Sequence, residues 1–172
     1  MHNSHDNPSS ASRFSATNRG LTINLPDEPS TSAFAAKLAN AIQPGLIIYL
    51  HGDLGAGKTT LVRALLTELG YKGRVKSPTY TLLEQYDVAG KRFLHFDLYR
   101  FRDATEWDTA GFNDEFNDQN ICLLEWPEKA EGLLPPADLE IHFEILPDGR
   151  NITIYAQSGT GTACLNSLQK QV

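Results

Sequence analysis

The feature that most constrains this chain is the glycine-rich segment GDLGAGKT at residues 52–59. It satisfies the pattern G-x-x-x-x-G-K-[ST], with the fixed positions filled by Gly52, Gly57, Lys58 and Thr59. The apolar run LIIYLH at 46–51 precedes it, and TTLVRALLTEL at 59–69 follows with apolar residues at helical spacing. A strand that enters and a helix that leaves are the setting in which this pattern forms a phosphate-binding loop.

The residue types of the loop explain its chemistry. Successive backbone N–H groups and the start of the helix form a nest for an anion, and glycine lets the chain bend around a phosphate. Lys58 is expected to reach the β- and γ-phosphates of a nucleotide, and the Thr59 hydroxyl to bind Mg²⁺. A bare glycine turn would need no Lys-Thr pair. We expect ATP to contact residues Asp53, Leu54, Gly55, Ala56, Gly57, Lys58, Thr59 and Thr60.

The remaining pattern predicts an α/β domain of three layers, like that of P-loop NTPases, with a mixed, partly parallel sheet extended by β-hairpins. Buried-type strands are predicted at 46–51 and 121–125, because both are nearly continuous apolar runs. The other predicted elements are a strand at 21–24, helices at 31–42 and 59–69, a hairpin of 80–88 with 91–101, and a hairpin of 138–145 with 150–156. The helix at 31–42 is expected to be capped by Ser30 or Thr31.

The chain ends differ from this pattern in composition. Residues 1–19 are rich in Ser, Asn and Asp without periodicity, which predicts a disordered leader. Residues 158–172 are polar and weakly patterned, and we interpret them as a tail. The chain of 172 residues therefore predicts one domain, the P-loop ATPase domain at 20–157.

Charge and cysteine content exclude several classes of protein. The net charge of −6 argues against broad, non-specific nucleic-acid binding, which needs a basic surface. No run is long enough for a membrane span, and the first residues contain no apolar core of a secretory signal. The two cysteines, Cys122 and Cys164, match no disulfide or zinc spacing. We therefore expect a cytoplasmic protein without a membrane partner.

Two acids follow apolar strand sequences. Glu125 ends the run ICLLE, and Asp97 lies in RFLHFDLY, where other charges are scarce. Ligands of open α/β sheets bind at the carboxyl ends of the strands, and a phosphate-transfer site needs acids for Mg²⁺ and for the attacking water. We assign Glu125 to Mg²⁺, directly or through water, and Asp97 to water activation or to the outer shell of the metal. Each acid could alternatively pair with an arginine or cap a helix.

Four segments, in this order and at this spacing, closely resemble the TsaE family of bacterial ATPases in tRNA threonylcarbamoyladenosine biosynthesis. The segments are GDLGAGKTTLVRALL, SPTYTLLEQY, HFDLYR and ICLLEWPE. The resemblance covers roughly residues 21–156 and is much more specific than the loop alone. It implies a part in modifying adenosine 37 of tRNAs that read codons beginning with A. It further implies that the chain does not transfer the threonylcarbamoyl group itself.

The resemblance also implies partners and residue roles. ATP hydrolysis would drive or reset a complex of a TsaD-like transferase subunit and its TsaB-like paralogue. This chain would contact tRNA only indirectly, through that complex. Lys58 would be catalytic together with Asp97, which the family needs for activity. Thr59 and Glu125 would serve Mg²⁺. Residues 77–80 resemble a switch-like loop, Trp126 follows the metal acid, and Thr31 would lie near the adenine.

Two other functions remain open from the residues. Many short P-loop proteins are small-molecule kinases, but residues 103–136 contain no arginine-rich lid. A nucleotide-sensing module that does not hydrolyse ATP is the other alternative. Among single residues, Arg150 is interpreted as part of a hairpin turn that could touch nucleotide. His95 is interpreted as a buried histidine or a partner of Asp97, and His51 as a packing or surface residue.

Overall fold

The computed structural model describes residues 20–171, and the leader predicted at 1–19 lies outside the described residues. Seven strands form one sheet in the order β1-β7-β6-β2-β5-β4-β3. The strands are β1 (Leu21–Leu25), β2 (Ile47–His51), β3 (Leu83–Val88), β4 (Lys91–Asp97), β5 (Asn120–Glu125), β6 (Leu139–Ile145) and β7 (Arg150–Ala156).

The strand directions confirm the mixed sheet. β2 pairs in parallel with both β5 and β6, and β5 pairs in parallel with β4. The two predicted hairpins are β3–β4 and β6–β7, each antiparallel, and β1 adds to β7 as an antiparallel edge. All six residues of β5 are buried, as expected for a strand covered on both faces.

Within residues 20–171, four α-helices and two short 3₁₀ helices accompany the strands, and the last helix follows the final strand. They are α1 (Glu28–Ala41), α2 (Lys58–Glu68), α3 (Ala104–Thr109), α4 (Gly159–Gln171) and the 3₁₀ helices Phe112–Glu115 and Pro127–Ala130. Helix α1 begins earlier than predicted, because Asp27 rather than Ser30 or Thr31 is its N-cap. The Asp27 carboxylate accepts from the Ser30 N–H, and the Ser30 hydroxyl oxygen accepts from the Asp27 N–H, which completes a capping box.

Two apolar clusters lie on opposite faces of the sheet and make it the middle of three layers. The larger cluster joins the inner faces of α1, α2 and α4 to strand residues such as Ile48, Leu123 and Ile141. The smaller one surrounds Trp107 and includes Phe96 and aromatic residues of the loops after β4. The alternation of side chains along each strand separates the two clusters.

The prediction of a polar tail at 158–172 is wrong for residues 159–171, which form α4. Its polar residues face solvent, while Cys164, Leu165 and Leu168 are buried against the rest of the larger cluster. A helix with so narrow an apolar stripe has a weak sequence pattern, and tertiary packing stabilises it. No helix within residues 20–171 is long and apolar enough to cross a membrane.

Candidate nucleotide-binding site

Three neighbouring parallel strands deliver the predicted site residues to one edge of the sheet. The glycine-rich loop follows β2, Glu125 ends β5, and Asp97 ends β4. Asp97 and Glu125 are register partners across β4 and β5, so their side chains leave the sheet side by side. This confirms that both acids lie at the carboxyl ends of parallel strands, where ligands of open α/β sheets bind.

At Gly57 the backbone of the loop adopts a conformation that only glycine adopts without strain. Gly57 has φ +105° and is the N-cap residue of α2. A Cβ atom built there would lie 1.4 Å from Nη1 of Arg150. That same guanidinium nitrogen donates to the carbonyl oxygen of Ala56 at 2.9 Å. Arg150, at the start of β7, therefore supports the loop through the carbonyl group of Ala56, and its place in a hairpin turn is not its whole role.

The Lys58 ammonium group lies inside the curve of the loop. Lys58 is only 4% exposed, and its Nζ donates to the carbonyl oxygen of Gly52. Nζ also lies 3.6 Å from the centre of the Trp126 ring, a cation–π contact. Burial lowers the pKa of Lys58 from its ordinary value, and the carboxylate of Glu125 opposes that shift. The positive charge is thus held at the loop by the backbone and an aromatic face.

Glu125 is the meeting point of the loop and the sheet. Its Oε2 accepts from the Thr59 hydroxyl at 2.8 Å and lies 2.6 Å from Nε2 of His95. Glu125 is 3% exposed and His95 is fully buried. Within residues 20–171, Nδ1 of His95 has no hydrogen-bond partner. The interpretation of His95 as a partner of Asp97 is therefore wrong, because its partner is Glu125 on the neighbouring strand.

Asp97 is held by hydroxyl groups of the segment that precedes β3. Its Oδ2 accepts from Ser77 at 3.1 Å and from Thr79 at 2.9 Å, and its Oδ1 accepts from the Tyr99 N–H at 3.0 Å. The two hydroxyls also lie 2.7 Å from each other. Asp97 thereby ties the segment at 77–80 to the end of β4. Among the residues that the structure describes, it neither pairs with an arginine nor caps a helix.

The glycine-rich loop and both acids line one cleft with a volume of about 470 Å³, which is the size of a small-molecule site. Its lining comprises Leu54, Gly55, Ala56, Gly57, Lys58, Thr59, Thr60, Ser77, Thr79, Tyr80, Asp97, Tyr99, Arg100, Glu125, Trp126 and Arg150. Sequence reasoning missed Tyr99 and Arg100. Their position directly after the acid of HFDLYR was the feature that could have indicated them.

The structure does not bring every predicted nucleotide contact to the cleft. Asp53 lies at the outer turn of the loop, where its carbonyl oxygen accepts from the Ala56 N–H at 3.0 Å. Thr31 is buried in the first turn of α1, and its hydroxyl donates to the carbonyl oxygen of Asp27 at 3.3 Å. Neither side chain is part of the cleft lining within the described chain. A nucleotide contact at either residue stays a prediction.

The donor groups present fit a phosphate chain and a hard cation. The loop turns through Gly55 and Gly57, both with positive φ, and glycine has no side chain that could block a phosphate at these two positions. The oxygen atoms of Thr59 and Glu125 meet at 2.8 Å, and Asp97 stands beside them. Mg²⁺ prefers such hydroxyl and carboxylate oxygens and binds few protein ligands when phosphates supply the others.

Comparisons with known proteins agree with this geometry. The family described as "Threonylcarbamoyl adenosine biosynthesis protein TsaE" matches residues 25–152. A Haemophilus influenzae protein named tRNA threonylcarbamoyladenosine biosynthesis protein TsaE is 47% identical over 146 residues, covering 82% of this chain and 92% of its own. The Bacillus subtilis protein of the same name is 38% identical over 136 residues, covering 78% and 83%.

A solved structure supports the same relationship at the level of the fold. The crystal structure of Bacillus subtilus YdiB superposes with a TM-score of 0.78 at 28% sequence identity. The alignment covers 91% of this chain and 99% of that one. The family match spans most of the described residues, and the alignments cover 92% and 83% of the two relatives. The chain therefore belongs to the TsaE family of threonylcarbamoyl adenosine biosynthesis proteins.

Proposed function

We propose that this chain is a Mg²⁺-dependent ATPase that serves in the formation of threonylcarbamoyladenosine in tRNA. The observation that carries the proposal is the convergence of a phosphate loop, a buried ammonium group and two carboxylates in one cleft. Each of these parts has a stated task in phosphoryl transfer from a nucleoside triphosphate. The names of the relatives supply the pathway.

In the proposed reaction, backbone N–H groups of the loop bind the phosphates of ATP. Lys58 already points its ammonium group at the Gly52 carbonyl, and it would exchange that partner for phosphate oxygens of greater charge. Thr59 and Glu125 would hold Mg²⁺, which offsets the charge that develops on the phosphate oxygens. His95 keeps the Glu125 carboxylate turned toward Thr59.

Asp97 is the residue that we propose to orient the attacking water. Its carboxylate borders the cleft beside Glu125, and it is fixed by three hydrogen bonds rather than by an arginine. Two of those bonds come from Ser77 and Thr79. A shift of the segment at 77–80 would therefore release or reorient Asp97, which suits a switch that responds to nucleotide.

We further propose that the chain acts with TsaD-like and TsaB-like partners on adenosine 37 of tRNAs that read ANN codons. The two relatives are named for the biosynthesis of this nucleoside, which supports the proposal. The net charge of −6 disfavours direct binding of tRNA by this chain, because contacts with phosphates need a basic surface. The partner complex would then supply the tRNA contacts.

ATP hydrolysis by the full chain, measured with and without the two partners, tests the enzymatic part. Lys58→Ala should weaken ATP binding, because it removes the buried charge of the loop. Asp97→Asn should keep ATP binding but lower the hydrolysis rate by about 10²–10⁴-fold, the usual contribution of a positioned general base. Lys170→Ala and Asp108→Asn are matched controls at exposed positions outside the cleft and should match the unmodified chain.

Two results would contradict the proposal. One is hydrolysis by Asp97→Asn at the rate of the unmodified chain. The other is ADP production that requires a small-molecule acceptor and phosphorylates it, which would identify a kinase instead.

A further inference from the structure

A second cluster of side chains that can bind a metal ion lies on β2 and β6, whereas the two acids of the cleft lie on β4 and β5. His51 ends β2, and His142 is its register partner in the parallel strand β6. Glu140 precedes His142 by two residues and is the partner of Tyr49. Because alternate residues of a strand share a face, the register places both imidazoles and the Glu140 carboxylate together on one face of the sheet.

The side-chain geometry agrees with that placement. The two imidazole rings stack with centroids 4.4 Å apart and planes 13° apart. Nε2 of His51 lies 2.8 Å from Oε1 of Glu140. One ligand atom from each of the three residues can be chosen so that all lie within 4.8 Å of one another. None of the three lines the nucleotide cleft.

We propose that His51, Glu140 and His142 form a binding site for a divalent transition-metal ion, with Zn²⁺ as the best match. Two imidazole nitrogens and one carboxylate oxygen are a donor set that Zn²⁺ accepts, at about 2 Å from each ligand atom. The ion takes the place of the hydrogen bond between Nε2 of His51 and Oε1 of Glu140. A rotation of the exposed His142 ring completes the three protein ligands and leaves one position for water.

Neighbouring groups already orient these ligands as the outer shell of a metal site does. Gln157 donates to the second oxygen of Glu140 at 2.7 Å, which leaves Oε1 free for the ion. Nδ1 of His51 lies 4.0 Å from a carboxylate oxygen of Glu128, so a small movement of this exposed side chain would give the ring nitrogen that does not bind metal a hydrogen-bond partner. The Tyr155 ring meets the His142 ring edge to face, with the two ring centroids 5.4 Å apart.

The test is calorimetric titration of the full chain with Zn²⁺ in excess Mg²⁺, which occupies oxygen sites but competes poorly for imidazole. The parent for comparison carries His2→Gln and His5→Gln, because these leader histidines could also bind Zn²⁺. The parent should bind one Zn²⁺ per chain and unfold at a higher temperature with Zn²⁺ than without.

Adding His142→Gln or Glu140→Gln to the parent should weaken Zn²⁺ binding by more than about 100-fold and abolish the thermal shift. Glu128→Gln should weaken it by about tenfold. Glu106→Gln, an exposed acid of α3, is the matched control and should leave it unchanged. Unfolding without metal shows that each variant folds. No saturable Zn²⁺ binding in the parent, or unchanged binding in His142→Gln and Glu140→Gln, would overturn the proposal.

Discussion

The position of the Glu125 carboxylate depends on two donors that reach the same oxygen. One is the Thr59 hydroxyl at the start of α2, and the other is the buried ring of His95 on β4. The loop and the sheet are thereby joined at one atom. His95 does not line the cleft, so we assign it a positioning role rather than direct contact with nucleotide.

His95→Ala is expected to raise the Mg²⁺ concentration needed for half-maximal ATP hydrolysis by about tenfold, as the loss of an outer-shell partner typically does. His95→Gln keeps a donor near the same position and should recover most of the loss. Hydrolysis rates measured across a Mg²⁺ titration provide the readout. An unchanged Mg²⁺ requirement in a folded His95→Ala chain would show that Thr59 alone positions Glu125.

Substitutions at two glycines of the loop can distinguish the cost of backbone strain from the cost of a steric clash. Gly57 and Gly55 both have positive φ, but only at Gly57 would a Cβ meet another group, namely Arg150. Both substitutions to Ala should cost about 1–2 kcal/mol of unfolding free energy for the left-handed backbone. Gly57→Ala must also displace Arg150, so it should lower the free energy of unfolding and weaken ATP binding more than Gly55→Ala does. Urea unfolding measures the stability of the two variants. Equal losses of stability would contradict a supporting role of Arg150.

The two thiols are expected to be unreactive in the folded chain. Burial raises the pKa of Cys122 to about 12 and that of Cys164 to about 11. The thiolate is the reactive form, so at pH 8 almost none is present at either position. Alkylation by iodoacetamide, followed by mass spectrometry, should be slow in the native chain and rapid after denaturation. Rapid labelling of the native chain would contradict the burial of these residues.

At the scale of elements, strength of pattern decided which ones the sequence could predict. β2 and β5 are continuous apolar runs, and both hairpins have turn residues between alternating strands. These patterns were strong enough to predict the elements, and the structure confirms them. α4 was missed because Thr, Ser, Asn and Gln occupy most of its surface. Its start depends on a tertiary contact, since the Ser158 hydroxyl that caps it also donates to Asp138 at 2.6 Å.

The packing of α4 can be tested with one buried and one exposed residue. Leu168 is fully buried against the larger cluster, whereas its neighbour Gln169 faces solvent. Leu168→Ala should lower the free energy of unfolding by about 2–5 kcal/mol, the range for a buried leucine. Gln169→Ala should change it by less than about 0.5 kcal/mol. Similar effects of the two variants in denaturant unfolding would mean that α4 is not part of the cooperative fold.

At the scale of the whole molecule, the parts of the site that lie within one sequence motif were predictable. The contacts that form only when the sheet brings separate segments together were not. The loop, Lys58 and Thr59 followed from one motif and its flanking elements. The pairing of Asp97 with Glu125 required only that both strands be parallel neighbours. The bond between His95 and Glu125 and the contact of Arg150 with the loop join segments that are far apart in sequence, and no local pattern encodes such contacts.

The central claim is that nucleotide use by this chain supports threonylcarbamoyladenosine formation. The most direct measurement is the amount of that nucleoside in bulk tRNA, by mass spectrometry, after the chain is depleted from its cells. We expect the nucleoside level to fall on depletion, and to be restored by the unmodified chain and by Lys170→Ala but not by Lys58→Ala. A constant level throughout depletion, or full rescue by Lys58→Ala, would contradict it.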